Sequence, residues 1–193
     1  LKMNEKYDEA LEQYQKYKQL VPNDPLTDFG IQSCDLAKKW MESPSGYEVL
    51  NMRAINSKQS DFSPAYLSDD YSVLLFTSSR NEATGTKNHA GTGEKFTDIF
   101  ITQRDKKGTW STPRPLDGNI NTPNDEGTPS VTANFNKIYF TRCRAGKRNK
   151  LGCEILVSER REQGWLTPEV LPLAPDSMVV AHPAISADEL TLY

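Results

Sequence analysis

Two histidines, three cysteines and a few neighbouring acids are the residues of this chain whose types could do chemistry. His89 sits in a loop rich in Gly, Thr and Asn, and His182 stands directly before Pro183. Neither belongs to a His-Glu-x-x-His arrangement, and no Cys-x-x-Cys or EF-hand spacing occurs, so no metal site is expected. Gly91-Thr-Gly-Glu-Lys-Phe-Thr97 has the glycines of a phosphate loop but not their spacing. Strand-like sequence follows it, where phosphate binding needs a helix N-terminus. No Gly-x-Ser-x-Gly elbow is present. Asp69/Asp70 and Asp125/Glu126 lie in turn-rich sequence, where carboxylates commonly bond their own backbone. No catalytic, metal-binding or cofactor-binding residue is therefore assigned, and the chain is not expected to be an enzyme.

Two groups carry a sharper reading. Cys143 and Cys153 end one strand-like run and begin the next, flanking the nine residues 144–152. In an antiparallel hairpin those positions can face each other, and a bridge there would contribute up to about 3 kcal/mol; two free buried thiols are the alternative. Arg142, Arg144, Lys147, Arg148 and Lys150 form a cluster with no acid among them. It reads either as a solvated loop or as a docking patch for an acidic partner or an anionic polymer. The long loop Asn81–Phe96 is a third place for recognition, with disorder as its alternative.

These residues must be positioned by two kinds of element. From Glu5 to Leu20 the apolar positions Tyr7, Ala10, Leu11, Tyr14, Tyr17 and Leu20 follow one face of a helix. Pro22 ends it, Asn23 or Asp24 caps a second helix with Pro25 in its first turn, and Ser43-Pro-Ser-Gly46 closes that one. Beyond Gly46 short β-branched and aromatic runs alternate with turn residues, and they repeat. Phe76-Thr-Ser-Ser-Arg80 returns as Phe140-Thr-Arg-Cys-Arg144, Asp98-Ile-Phe-Ile-Thr-Gln-Arg104 as Glu154-Ile-Leu-Val-Ser-Glu-Arg160, and Trp110-x-Thr-Pro as Trp165-x-Thr-Pro. Ser63-Pro, Thr128-Pro and His182-Pro open three units, at offsets of 65 and 54 residues. Val73–Phe76 and Ile99–Ile101 are apolar on consecutive residues, as are Ile138–Phe140 and Ile155–Val157. That pattern predicts strands covered on both faces, as in stacked propeller blades.

The expected fold is an α+β multidomain fragment. A helical hairpin, whose Ala10, Tyr14 and Pro22 resemble the second half of a tetratricopeptide repeat, occupies 1–43, a linker and first strand entry 44–60, and an incomplete β-propeller 61–193. Its blades fall at 61–120, 125–175 and a truncated 180–193. Leu1 already reads as helix and Leu190–Tyr193 as an uncapped strand, so a longer protein is expected around this chain. With 23 basic and 26 acidic residues the net charge is −3, which gives no basic excess for nucleic acid. No run approaches the roughly 20 apolar residues of a membrane-crossing helix.

Asp61-Phe-Ser-Pro-Ala65, the Phe-Thr-x-x-Arg strand, Asp-Ile-Phe and Trp-x-Thr-Pro resemble the Pro-Asp type of WD-like repeat, a relative of the TolB propeller. Ala10, Tyr14 and Pro22 match the second half of a tetratricopeptide repeat. Asn119-Ile-Asn-Thr-Pro-Asn124 with Glu126-Gly-Thr-Pro129 resembles an inter-blade segment of Bacteroidetes envelope proteins. The order of parts resembles PorE-type proteins of the type IX secretion system, whose OmpA-like peptidoglycan-binding domain lies further along. The repeat's Asp-Gly turn is Asp69-Asp70, Asn134-Phe135 and Asp188-Glu189 here, so its glycine is lost. The resemblance implies a periplasmic scaffold at the outer membrane. Its partners would be envelope or secretion-system proteins, with peptidoglycan held by a C-terminal domain outside this chain. Two other readings stay open: the propeller gating a prolyl-oligopeptidase-like hydrolase, and a TolB-like periplasmic adaptor.

Overall fold

Asp24 sets the start of the longer helix. Its carboxylate accepts from the Leu26 N–H at 2.9 Å and from Thr27 Oγ1 at 3.1 Å, with Pro25 at the first helical position. Helix α1 spans Tyr7–Leu20, preceded by a short 3₁₀ turn over Lys2–Asn4, and α2 spans Pro25–Glu42. The two helices pack closely because Gly30 has no side chain: a Cβ there would stand 2.6 Å from the Tyr14 ring. Lys38 bonds Asp8 across the pair at 2.6 Å, and Lys18 bonds Asp28. Ala10, Thr27, Gly30 and Cys34 form the buried seam, while Leu26, Phe29, Trp40 and Met41 remain exposed.

The computed structural model describes residues 1–144, 152–175 and 178–193. Two compact units divide it, Leu1–Leu50 and Asn51–Tyr193, and together they make an α+β fold of two helices and two antiparallel sheets. The boundary therefore falls at Leu50, ten residues before the end of the expected linker 44–60. Ile55 accounts for the shift. It is buried against Leu74, Phe76 and Phe100, and its carbonyl accepts from Arg80 Nη2 at 2.9 Å.

The first sheet runs in the order β1 (Asp61–Tyr66), β2 (Val73–Ser78), β3 (Asp98–Gln103) and β4 (Arg114–Pro115). The second runs β5 (Asp125–Val131), β6 (Lys137–Arg144), β7 (Gly152–Arg161) and β8 (Gly164–Trp165), with β9 (Glu169–Val170) also paired to β7. A third hairpin begins after it, with Ile185 bridged to Leu192.

Alternation along β2 sends side chains into two cores. Leu75 and Ile99 face the second sheet and pack with Ile138, Phe140, Leu156, Leu116 and Ile120. Leu74, Phe76 and Phe100 face the other way, beneath Ile55, Ala83 and the Arg80 guanidinium, which lies 5.0 Å from both rings. Phe76 and Phe140 thus hold the same place in their sheets but have different covers. Phe140 is covered by the neighbouring sheet, and Phe76 by the chain's own 51–60 segment and Arg80. Burying each ring contributes roughly 1.5–3 kcal/mol.

The chain that follows each inner strand pairs in two short pieces around its tryptophan. Arg104 bridges Trp110 and Phe100–Ile101 pair with β4; Arg160 pairs Trp165 and Leu156–Val157 pair with β9. Thr102 Oγ1 donates to the Ser111 carbonyl at 2.7 Å, and Ser158 Oγ donates to the Leu166 carbonyl at 2.7 Å. Each arginine stacks on its tryptophan, at 5.5 and 6.0 Å. The sequence repeat is therefore a repeat of bonds.

Candidate binding surface

Three residues stand at φ values L-amino acids rarely adopt, each immediately before a proline: Ser63 (50°), Thr128 (52°) and His182 (60°). A proline pushes the preceding residue toward extended conformations, and a Cβ makes the left-handed region costly by about 1–2 kcal/mol. The chain holds this strain at the same position of all three units. In β1 and β5 it sits in a bulge, where the register slips between Phe62 and Ala65 and between Gly127 and Ser130.

Hydrogen bonds between successive units hold the bulges in place. The Thr128 N–H donates to Thr77 Oγ1 at 2.8 Å, and the His182 N–H donates to the equivalent Thr141 Oγ1 at 2.8 Å. Ser63, Pro64, Thr128, Pro129, His182 and Pro183 consequently line one open depression of about 170 Å³. Its lining therefore combines three prolines with one serine, one threonine and one histidine. No proline can donate an N–H there, and the Thr128 and His182 N–H groups are already bonded to Thr77 and Thr141.

At the other end of each first strand the lost turn glycine has left its conformation behind. Phe135 and Glu189 stand at φ 58° and 59°; in the first unit the position falls on Tyr71, at 55°, so the turn pair there is Asp70-Tyr71, one residue later than the expected Asp69-Asp70. The preceding acid or amide closes each turn by accepting an N–H two residues on: Asp70 from Ser72 at 3.0 Å, Asn134 from Asn136 at 3.2 Å, Asp188 from Leu190 at 3.1 Å. The Ser72 and Ser68 hydroxyls and the Ser72 amide hold the Asp70 carboxyl down to about 2.

The remaining candidates are structural. His89 Nδ1 accepts from the Gly91 N–H at 3.3 Å in a hairpin closed by an Asn88–Lys95 bridge, which is no helix N-terminus. That hairpin is pinned where Glu94 accepts from Ser79 Oγ at 2.5 Å and Lys95 Nζ reaches the Asn81 and Ala83 carbonyls at 2.8 and 3.1 Å. Among the described residues no three His, Cys, Asp or Glu side chains gather as a metal cluster, and no helix is long and apolar enough to cross a membrane.

Arg142 does not serve as a free docking cation. Its Nε donates to the fully buried Glu126 carboxylate at 2.7 Å, its Nη2 to the Ile120 carbonyl at 2.9 Å, and it stacks on Phe140 at 5.6 Å. Arg144 lies 3.2 Å from Glu154. Lys147, Arg148 and Lys150 lie outside the described residues. Cys143 and Cys153 are directly opposed in the β6–β7 ladder and joined by a disulfide, with Cα atoms 4.0 Å apart.

Sequence reasoning missed three buried acids, two of them paired with arginines. Asp61 and Arg80 pair at 2.6 Å, Glu126 and Arg142 pair as above, and Asp98 is fully buried. Asp61 and Glu126 occupy one repeat position, two residues before Ser63-Pro and Thr128-Pro, so the acids were visible in the alignment of units. Their arginines come from different places, which hid the pairs. Burial raises Asp98, whose Oδ2 accepts both the amide and hydroxyl of Thr84 at 2.6 Å while Oδ1 has no partner among the described residues. No family model, curated protein or solved structure matches this chain.

Proposed function

We propose that the chain is a non-catalytic protein-binding scaffold of the bacterial cell envelope. Its sheets are successive blades of a β-propeller, and its recognition surface is the depression at the three Xaa-Pro corners. The observation that carries this reading is the convergence of Ser63-Pro64, Thr128-Pro129 and His182-Pro183 on one place. Sheets stacked around a common axis bring equivalent corners together at that axis, whereas sheets facing each other in a sandwich do not. Strain retained in three successive units is also what a recognition surface accumulates when a fold over-determines its geometry. The helical pair, with Leu26, Phe29, Trp40 and Met41 exposed, supports a repeat-type helical segment that stacks on another of its kind.

By the family resemblance, the scaffold is a periplasmic, outer-membrane-associated component of the type IX secretion system. It ties secretion or envelope proteins to peptidoglycan through a domain further along. The test is a crosslinking pull-down from envelope fractions with identification of the captured proteins. His182→Arg fills the depression from an exposed position, and Lys106→Ala serves as a control remote from it. Loss of capture with His182→Arg alone is the expected result. Equal capture by both variants contradicts the assignment of the site.

A further inference from the structure

The Cys143–Cys153 bridge stands where the preceding sheet holds itself together without one. By the repeat, Cys143 corresponds to Ser79 and Cys153 to Thr97. There β2 and β3 pair from Val73–Gln103 through Ser78–Asp98, with no covalent tie beyond them. Ser79 Oγ instead bonds Glu94 at 2.5 Å, and the Thr97 N–H bonds Asp125 Oδ1 at 2.7 Å. A sheet of this kind therefore completes its ladder without a bridge.

Three further observations concern what the bridge does. Both cysteines are half-buried, whereas Ser79 is buried, so the bridge lies nearer the surface than the equivalent position of the preceding sheet. Ion pairs flank the bridge along β6, Arg142 with Glu126 at 2.7 Å and Arg144 with Glu154 at 3.2 Å, and neither involves a sulfur atom. Cys153 also lines a cleft of about 400 Å³ with Arg144, Glu154, Val170, Leu171 and Val180. The Val180 N–H donates to the Cys153 carbonyl at 3.2 Å, which couples the cleft wall to the bridged strand.

We propose that Cys143–Cys153 is a reversible redox clasp, opened in the folded protein by a dithiol reductant, and that its opening loosens the cleft wall at Val180. One thiolate of the dithiol attacks a cysteine sulfur, the S–S bond breaks, and the other cysteine leaves as a thiolate and takes up a proton. The second thiol of the reductant then displaces the mixed disulfide. The reductant becomes its own disulfide, and two electrons and two protons end on Cys143 and Cys153.

The test treats the whole chain with dithiothreitol in the absence of denaturant, then alkylates it and maps the labelled peptides. Cys143 and Cys153 become fully labelled while the near-ultraviolet dichroism of the folded protein is retained, and the C143S/C153S variant gives the same spectrum. Amide exchange at Val180 speeds by about tenfold on reduction, while core amides such as that of Leu75 keep their protection. A bridge that resists the dithiol until denaturant is added overturns the proposal. So does a near-ultraviolet signal that collapses on reduction and in the double variant, or an unchanged exchange rate at Val180.

Discussion

The Thr128 N–H rests on the Thr77 hydroxyl at 2.8 Å, and the next unit repeats the bond from His182 to Thr141 at the same distance. Thr77 is fully buried, so this hydrogen bond between neighbouring sheets is shielded from water. It does two things at once. It satisfies an N–H stranded by the bulge, and it fixes where each Xaa-Pro corner sits relative to the sheet before it.

Thr77→Val keeps the shape and removes the acceptor. The Thr128 N–H is then buried without a partner, which costs about 1–3 kcal/mol. Urea unfolding should show that loss, and Thr141→Val should show a loss of the same kind one unit later. A Thr77→Val protein as stable as the parent would mean the hydroxyl is not the acceptor.

Ser63 carries left-handed strain without a side-chain bond among the described residues. Ser63→Gly relieves about 1–2 kcal/mol of that strain and gives back part of it as unfolded-chain entropy, for a net gain of about 0.5 kcal/mol. Ser63→Val, with its branched Cβ, destabilises by more than about 1 kcal/mol. The opposite order in thermal melts would place Ser63 in an ordinary extended conformation.

Asp98 makes stability depend on pH in a defined sense. Burial raises its folded pKa above the unfolded value of about 3.9, so its contribution is fully present below that value. It is lost as the pH rises through the folded pKa and the buried carboxyl must ionise. Asp98→Asn keeps an oxygen for Thr84 and cannot ionise. Its melting temperature relative to the parent should rise with pH above about 3.9 and level off once the pH has passed the raised folded pKa. A variant that loses ground to the parent as pH rises would reverse the sign.

Arg142→Met leaves Glu126 buried with its charge uncompensated, a loss of about 3–5 kcal/mol. Adding Glu126→Met to it should restore much of the stability, because an apolar pair of similar volume needs no desolvation. Denaturant midpoints of the single and double variants measure this, and a double variant less stable than the single one would contradict it.

How much of this was legible in the sequence varies by element. The helices were, because Tyr7 to Leu20 recur on one face and Asp24-Pro25 is a start signal with a mechanism. The strands were too, since the consecutive apolar runs at Val73 and Ile138 match elements buried on both sides. The turns were legible only in part. Tyr71, Phe135 and Glu189 keep a glycine's conformation with side chains that give no hint of it, because the neighbouring Asp or Asn bond and the tertiary frame override local preference. The short run between Trp110 and Pro115 shows no break in the sequence, yet it pairs with β3 and its flank in two separate places. Arg142 looked like surface because five cations stand together in sequence. Its partner Glu126 is sixteen residues away and meets it only through the β5–β6 register.

Everything proposed about the axis depends on the second sheet pressing side by side against the first at Gly127, where a Cβ would meet Thr77 Cγ2 at 2.6 Å and Oγ1 at 3.0 Å. A double-mutant cycle measures that contact directly. Gly127→Ala should destabilise by about 1–3 kcal/mol from overpacking. Thr77→Ser, which removes the methyl and keeps the hydroxyl for Thr128, should recover part of the loss, with a coupling energy of at least about 0.5 kcal/mol. Costs that simply add would mean that Gly127 and Thr77 do not touch, and the two sheets would not be stacked as described.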